Sequence, residues 1–163
     1  MIVRLLLLLL CSSAAVAQTN FSGTWNLQNK QHVLGPEYGN ALASAITFQQ
    51  QTDSLIIESV SVGAEGQEVK SRSAVSMDGK SLTALSKNSN RKYIKSLKWS
   101  ADKKSLVITT VFYVEDNPNE VDLTRVEILS LSPDGKQLNL EKKSIETRSE
   151  NWEVKGTYAK KTN

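Results

Sequence analysis

Hydrophobic and polar residues alternate along most of this chain. The stretches 21–27, 93–99 and 152–158 place mainly apolar or aromatic residues at every second position. This period of two is typical of β-strands with one covered face and one face in water. Residues 106–114 are apolar, β-branched or aromatic almost throughout, which predicts either the most buried strand or a strand covered on both faces. The pattern therefore predicts an all-β protein.

Short polar phrases separate the predicted strands. Residues 76–82, 100–106 and 132–138 each contain a Ser, an Asp two residues later, a Lys two residues after that, and a Leu that opens the next strand. Asp-Gly favours a tight hairpin turn, because Gly accepts a positive φ angle. Strands joined in this way are expected to be antiparallel neighbours.

Together, these signals predict an antiparallel up-and-down β-barrel of eight to ten strands. We expect strands near residues 21–29, 45–51, 55–62, 67–77, 81–87, 91–99, 105–114, 120–131, 137–147 and 151–159. The one long irregular stretch, 31–44, contains Gly35-Pro36. We expect it to hold a short helical turn around residues 40–45 and to form a lid across one end of the barrel.

The first 17 residues have the three parts of a secretory signal peptide. Arg4 is followed by the apolar run Leu5 to Leu10 and by Ala15-Val16-Ala17, a cleavage site of small residues. The run is shorter than the roughly 20 residues that a membrane-spanning helix needs. We therefore expect a signal peptide at 1–17, a single domain at 18–163, no membrane span, and export to the periplasm or the extracellular space.

Cys11 is the only cysteine and lies inside the predicted signal. Leu10 precedes it where a lipidation site needs a small residue, so a lipid anchor at Cys11 is the less favoured alternative. The predicted mature chain then has no disulfide, no thiolate nucleophile and no cysteine metal site. The 19 basic residues that remain without Arg4 and the 17 acidic residues are nearly balanced and spread along the strands, which argues against a nucleic-acid partner.

The opening phrase Phe21-Ser22-Gly23-Thr24-Trp25 resembles the first strand of the lipocalin-like, calycin-type secreted proteins of bacteria, many of which have no assigned activity. The similarity continues through the Lys-x-x-Trp strand that ends at Trp99 and the Ser-x-Asp-Gly-Lys turn that starts at Ser132. This resemblance implies a closed barrel and a hydrophobic ligand. It also implies a structural role for Trp25 at the closed end, packed under an Arg near the chain end, for which Arg148 is the candidate.

A ligand pocket of this kind needs inward apolar and aromatic side chains and a few polar groups. The candidates are Tyr93, Leu97, Trp99, Ile108, Phe112, Trp152 and Tyr158. The alternative is that they simply fill the barrel, as side chains do in many small barrels. Arg125 shares a strand face with Leu123 and Leu129. It is either a carboxylate-binding handle or an outward residue after a bulge, and the cost of burying a charge favours the outward position.

The inventory for catalysis is poor. His32, placed in the irregular stretch, is the only histidine, and no Gly-x-Ser-x-Gly phrase accompanies it. The acidic stretch 115–122 lacks the spacing of a helix-flanked calcium loop and favours a plain turn. We therefore expect no enzyme activity, no metal and no cofactor.

Two functions remain open. The first is a non-catalytic, exported barrel that binds a small hydrophobic or amphipathic ligand. The second is a filled barrel that acts through its outer surface as an interaction module of the cell envelope, with a protein partner that the sequence does not identify. They differ in whether the inward side chains leave a cavity.

Overall fold

The computed structural model describes residues 18–63, 65–86, 89–115 and 117–162. The predicted signal peptide, with Cys11, lies outside these residues. They form ten β-strands and no helix: β1 (Gly23–Leu34), β2 (Ala45–Gln50), β3 (Ser54–Val62), β4 (Glu68–Ser76), β5 (Leu82–Leu85), β6 (Lys92–Trp99), β7 (Ser105–Val114), β8 (Asn117–Leu131), β9 (Gln137–Glu146) and β10 (Trp152–Lys160). An apolar helix of membrane-spanning length is not found in this described part.

The strands form one antiparallel sheet in the order β4-β3-β2-β1-β10-β9-β8-β7-β6-β5. Every neighbouring pair is consecutive in the chain except β1 and β10, whose pairing runs from Trp25 opposite Lys160 to Leu34 opposite Glu153. The sheet curls into a nearly closed up-and-down β-barrel, which confirms the predicted fold class.

The barrel is incomplete between β4 and β5, the first and last strands of the sheet. In the described residues no backbone ladder joins these two strands, and we call this gap the seam. A hydrogen bond of 3.2 Å from Lys95 Nζ to Ser73 Oγ links β6 to β4 beside the seam.

The phrase 76–82 therefore does not make the hairpin that we expected. Met77 N and Ser76 Oγ instead bond the Asp53 carbonyl, at 2.8 and 3.4 Å, which ties this loop to the β2–β3 turn. The other two phrases close hairpins, with Ser100 N bonded to Ser105 O and Ser132 N to Gln137 O. A local turn signal specifies the bend of the chain, but pairing also needs the two flanking strands to meet.

The three phrases share one hydrogen-bonding pattern. In each, the Ser hydroxyl donates to the Asp carboxylate at 2.6 Å, and the Lys backbone N–H donates to the same oxygen at 2.9–3.1 Å. Gly79 and Gly135 have a positive φ angle in their phrases, and Lys103 has one of 56° in the phrase 100–106. Gly has no Cβ to clash there, whereas a left-handed Lys costs conformational energy.

Phe21, Trp25 and Trp99 pack together within the apolar core, and we call this group the packed end. Trp25 is fully buried there and donates its ring N–H to the Phe21 carbonyl at 3.0 Å. Lys160 Nζ lies 5.3 Å from the centre of the Trp25 ring. The expected Arg148 is not the cation over Trp25, because it is exposed and bonds Glu120 at 2.6 Å.

The irregular segment after β1 is shorter than expected. The strand continues to Leu34, so His32 is a strand residue paired with Val154 and not a loop residue. Residues 35–44 form turns and bends, held in part by a hydrogen bond from Ala41 N to Tyr38 O. The expected helical turn around residues 40–45 was wrong, and β2 already begins at Ala45.

Candidate functional site

The barrel contains a cavity of about 540 Å³ next to residues 40–43. Its volume lies within the range of about 300–1,000 Å³ that is usual for small-molecule sites. Most strands contribute alternate residues to the wall, because successive side chains point to opposite faces of a sheet. The edge strand β4 instead borders the cavity with the consecutive residues 69–73. Apolar lining residues include Ile46, Phe48, Ile57, Ile108, Phe112, Leu129 and Leu140. Polar lining residues include Ser59, Ser61, Ser71, Ser73, Lys95, Thr110, Arg125, Glu127 and Lys142.

Four charged side chains form a band on this wall, the charged band: Lys95, Arg125, Glu127 and Lys142. Glu127 and Lys142 are direct cross-strand partners in β8 and β9, and Lys142 Nζ lies 3.4 Å from Glu127 Oε1. Arg125 is two residues from Glu127 on the same face of β8. The band thus holds three cations and one carboxylate.

Arg125 points into the barrel, so the expected outward position is wrong. Its guanidinium lies 5.3 Å from the centre of the Phe112 ring and 5.6 Å from that of Trp152. Its Nε is buried and has no hydrogen-bond partner among the described residues. Burial lowers the pKa of Arg125, while Glu127 and then Glu146 oppose that shift. The aromatic faces supply cation–π attraction that partly offsets the loss of water.

The two lysines of the charged band are also partly removed from water. Burial lowers the pKa of Lys95, with Glu127 acting in the opposite direction. Burial likewise lowers the pKa of Lys142, again against the attraction of Glu127. Both shifts follow from the cost of holding an ammonium group where few water molecules reach it.

Residues 40–43 cover part of the cavity, and their neighbours fix them. Leu42 is buried and lines the cavity. Tyr158 donates its hydroxyl to the Ala43 carbonyl at 3.0 Å, and burial raises the pKa of that hydroxyl. The Tyr38 ring packs edge-on against Trp152, with 5.6 Å between ring centres. Asn40, Leu42 and Ala43 of this segment therefore border the cavity.

Three of the seven candidate ligand residues line the cavity: Tyr93, Ile108 and Phe112. The Tyr93 and Phe112 rings lie together, with centres 5.9 Å apart. The other four, Leu97, Trp99, Trp152 and Tyr158, do not line it. Leu97 and Tyr158 are fully buried in the core, and the Trp99 ring packs 6.0 Å from Phe21 at the packed end.

Trp152 lies on the same inner face as Arg125 without lining the cavity, and its ring N–H donates to Glu146 Oε1 at 3.1 Å. The sequence reading missed Glu127, Lys142 and the serines of β3 and β4 as lining residues. A signal for them existed. Lys95 lies on the same strand face as Tyr93 and Leu97. The period of two that selected the candidate ligand residues therefore also places a charged residue on the inner face.

Other candidate chemistry lies outside the cavity. His32 is exposed on β1. Among the described residues, no group of three or more His, Cys, Asp or Glu side chains is arranged to hold a metal ion. In the acidic stretch, Glu120 bonds Arg148 and also accepts from the Asn117 side-chain amide at 3.1 Å.

The fold and cavity define the class of the molecule, an up-and-down β-barrel with a partly charged interior. Comparisons with protein-family models, curated proteins and solved structures found no match for this chain. The functional argument therefore depends on the residues of the cavity.

Proposed function

We propose that this protein is a non-catalytic carrier that binds a small amphipathic molecule inside the barrel. The observation that carries the proposal is the cavity of about 540 Å³ beside residues 40–43. A barrel whose only role was structural would gain stability by filling that volume, because cavities cost packing energy. The cavity thus weighs against the alternative of a filled barrel that acts through its outer surface.

The composition of the wall supports an amphipathic ligand over a purely apolar one. Phe48, Ile108 and Phe112 offer apolar surface whose contact with a hydrocarbon group is favourable. The charged band and the serines of β3 and β4 offer hydrogen-bonding groups on the same wall. A ligand with an apolar part and a polar part meets both surfaces.

The proposal includes export, with action in the periplasm or outside the cell, on the strength of the signal-like first 17 residues. Native mass spectrometry of the protein, purified without detergent from its own source, tests the carrier role directly. We expect an excess mass that disappears on denaturation and identifies the bound molecule. A bare-chain mass, together with no uptake of added amphiphiles, would contradict the proposal.

The three tryptophans provide a second test, because they lie at different distances from the cavity. Trp25 and Trp99 belong to the packed end, whereas Trp152 lies next to Arg125, which lines the cavity. We expect ligand binding to change the intrinsic fluorescence, and Trp152→Phe to abolish most of that change. Trp99→Phe is the matched control and should retain it. The opposite result would place the ligand elsewhere.

A further inference from the structure

The charge on the cavity wall is not balanced by the described residues. Glu127 forms an ion pair with Lys142, and no other carboxylate of the described residues contacts Lys95 or Arg125. Within the part of the chain that the structure describes, Lys95 Nζ bonds only the neutral hydroxyl of Ser73, at 3.2 Å. Cations removed from water are costly unless an anion or hydrogen-bond acceptors compensate them. Two such cations on one cavity wall therefore point to an anion from outside the chain.

The strand register brings these two cations to one place. Lys95 of β6 and Arg125 of β8 both lie directly opposite Thr110 of the intervening strand β7. Their Cα atoms are thus about 10 Å apart, twice the spacing between neighbouring strands, and both side chains are long enough to converge above Thr110. Thr110 lines the cavity and adds a hydroxyl between the two cations.

The neighbouring carboxylate that could have neutralised Arg125 has other partners. Glu146 Oε1 accepts from Ser144 Oγ at 2.5 Å and from Trp152 Nε1 at 3.1 Å. It makes no ion pair with Arg125 in the described structure, and the buried Arg125 Nε has no partner there. The Nε–H group of Arg125 is therefore available to a ligand.

We infer that the ligand is an anionic amphiphile whose acid group binds Arg125, Lys95 and Thr110 while its hydrocarbon part lies on the apolar wall. This inference rests on the proposed carrier function. A carboxylate or a phosphate accepts hydrogen bonds from guanidinium, ammonium and hydroxyl donors, and such charge-assisted bonds are among the strong ones. Phe48 and Ile108 lie on the same wall and offer the apolar contact.

Calorimetric titration with dodecanoate, dodecyl phosphate and dodecanol tests the inference, since the three probes share a chain and differ in the head group. We expect the unmodified protein to bind at least one acid about tenfold or more tightly than the alcohol, the range expected for charge-assisted bonds. The acid that binds more tightly tells which anion the site prefers. Equal affinity for the alcohol and both acids would overturn the anion site and leave the carrier function standing. Absence of binding by all three would overturn both.

Two variants locate the site. Arg125→Gln and Lys95→Gln should each weaken binding of the preferred acid about tenfold and leave dodecanol binding nearly unchanged. Lys98→Gln is the matched control, because Lys98 lies on the same strand as Lys95 but is exposed on the outer face. Loss of acid binding in the control, or full affinity in both inner-wall variants, would overturn the assignment.

A spectroscopic measurement keeps the inference testable if the variants do not fold. Dodecanoate labelled at its carboxyl carbon can be titrated by nuclear magnetic resonance while bound to the unmodified protein. Contact with two cations should hold the carboxyl ionised at pH values where the free acid is protonated. A bound carboxyl that titrates like the free acid would show that it lies away from Arg125 and Lys95.

Discussion

Glu127 and Lys142 face each other across β8 and β9, with 3.4 Å between the carboxylate oxygen and the ammonium nitrogen. The two side chains are 26% and 17% exposed, so water still reaches them through the cavity. Burial lowers the pKa values of Lys95 and Arg125, and the negative charge of Glu127 acts on both in the opposite direction. One carboxylate thus faces three cations on the inner wall and forms an ion pair with Lys142.

Replacing Glu127 by Gln should lower the free energy of unfolding by about 1–2 kcal/mol at neutral pH, less than a fully buried pair would lose because solvent screens this one. Urea unfolding measures the change. Glu141→Gln is the control. Glu141 bonds Lys155 at 3.2 Å on the outer face, and its loss should cost no more than about 0.5 kcal/mol. Equal losses in both variants would show that the inner wall is as well hydrated as the surface.

Lys95→Met should make the protein more stable at neutral pH, by about 1 kcal/mol, because it removes a poorly compensated charge. Burial holds the pKa of Lys95 below its ordinary value of 10.5. The unfolded chain therefore binds more protons between the lowered pKa and 10.5, and the stability of the unmodified protein rises with pH in that window. The charged groups that affect Lys95 are Glu127, Arg125 and Lys142.

The advantage of the Met variant should accordingly shrink as the pH rises toward and above 10.5, because the lysine then becomes neutral in both states. Urea unfolding at a series of pH values measures it. Lys98→Met, on the exposed face of the same strand, corrects for effects of alkaline pH on the rest of the molecule. A pH-independent difference between Lys95→Met and the unmodified protein would contradict the burial of this charge.

Asp134 should titrate below its ordinary pKa of 3.8, because the Ser132 hydroxyl and the Lys136 backbone N–H both donate to its carboxylate. Its contribution to stability is present above pH 3.8 and lost as the pH falls through the lowered pKa. Ser132→Ala should move the Asp134 pKa upward toward 3.8. Side-chain carboxyl chemical shifts measure this, with Asp102 in its own turn as the internal reference, and an unmoved Asp134 would contradict the role of the hydroxyl.

Gly156→Ala should loosen the segment over the cavity. A Cβ atom at Gly156 would come within 2.7 Å of Leu42 Cδ1 and 3.1 Å of Tyr158 Cε2, so Leu42 must move. We expect a loss of about 1–2 kcal/mol, as for other overpacked sites. Gly39→Ala in the same segment is the control, because nothing lies within 4 Å of its added methyl group.

A double-mutant cycle identifies the clash as the cause. Leu42→Ala removes the atom that the new methyl group meets, so the double variant should lose less stability than the two single variants together, by about 1 kcal/mol. Strict additivity would show that Gly156 is required for another reason, such as its backbone conformation.

Most of the strands were predictable because their alternating pattern is local. All ten strands lie close to the predicted ranges, and the main difference in β1 is its continuation to Leu34. The seam was not predictable, since 76–82 carries the same turn signal as 132–138. Whether β4 and β5 pair depends on how the whole sheet curls, and no short stretch of sequence contains that information.

The cavity was only partly predictable. Alternation correctly grouped Tyr93, Ile108 and Phe112 on inner faces, but it could not separate a residue that fills the core from one that lines a space. Trp152 is an example, because its ring lies beside the Arg125 guanidinium but does not line the cavity. The general cost of burying a charge favoured an outward Arg125. The rings of Phe112 and Trp152 and the water in reach through the cavity lower the cost of burying Arg125. The rings and the cavity wall come from residues distant from Arg125 in the chain.

The seam between β4 and β5 affects how quickly the interior can exchange its contents with the surroundings. A fully closed barrel can widen only by breaking rows of backbone hydrogen bonds, whereas the contact between Lys95 and Ser73 is a single side-chain bond. Val69 and Leu85 flank this gap, line the cavity and are largely exposed. We therefore expect transient separation of β4 and β5 to open a route into the cavity with a low kinetic barrier. The amide protons of β5 should then exchange with solvent faster than those of β7, which is paired on both sides.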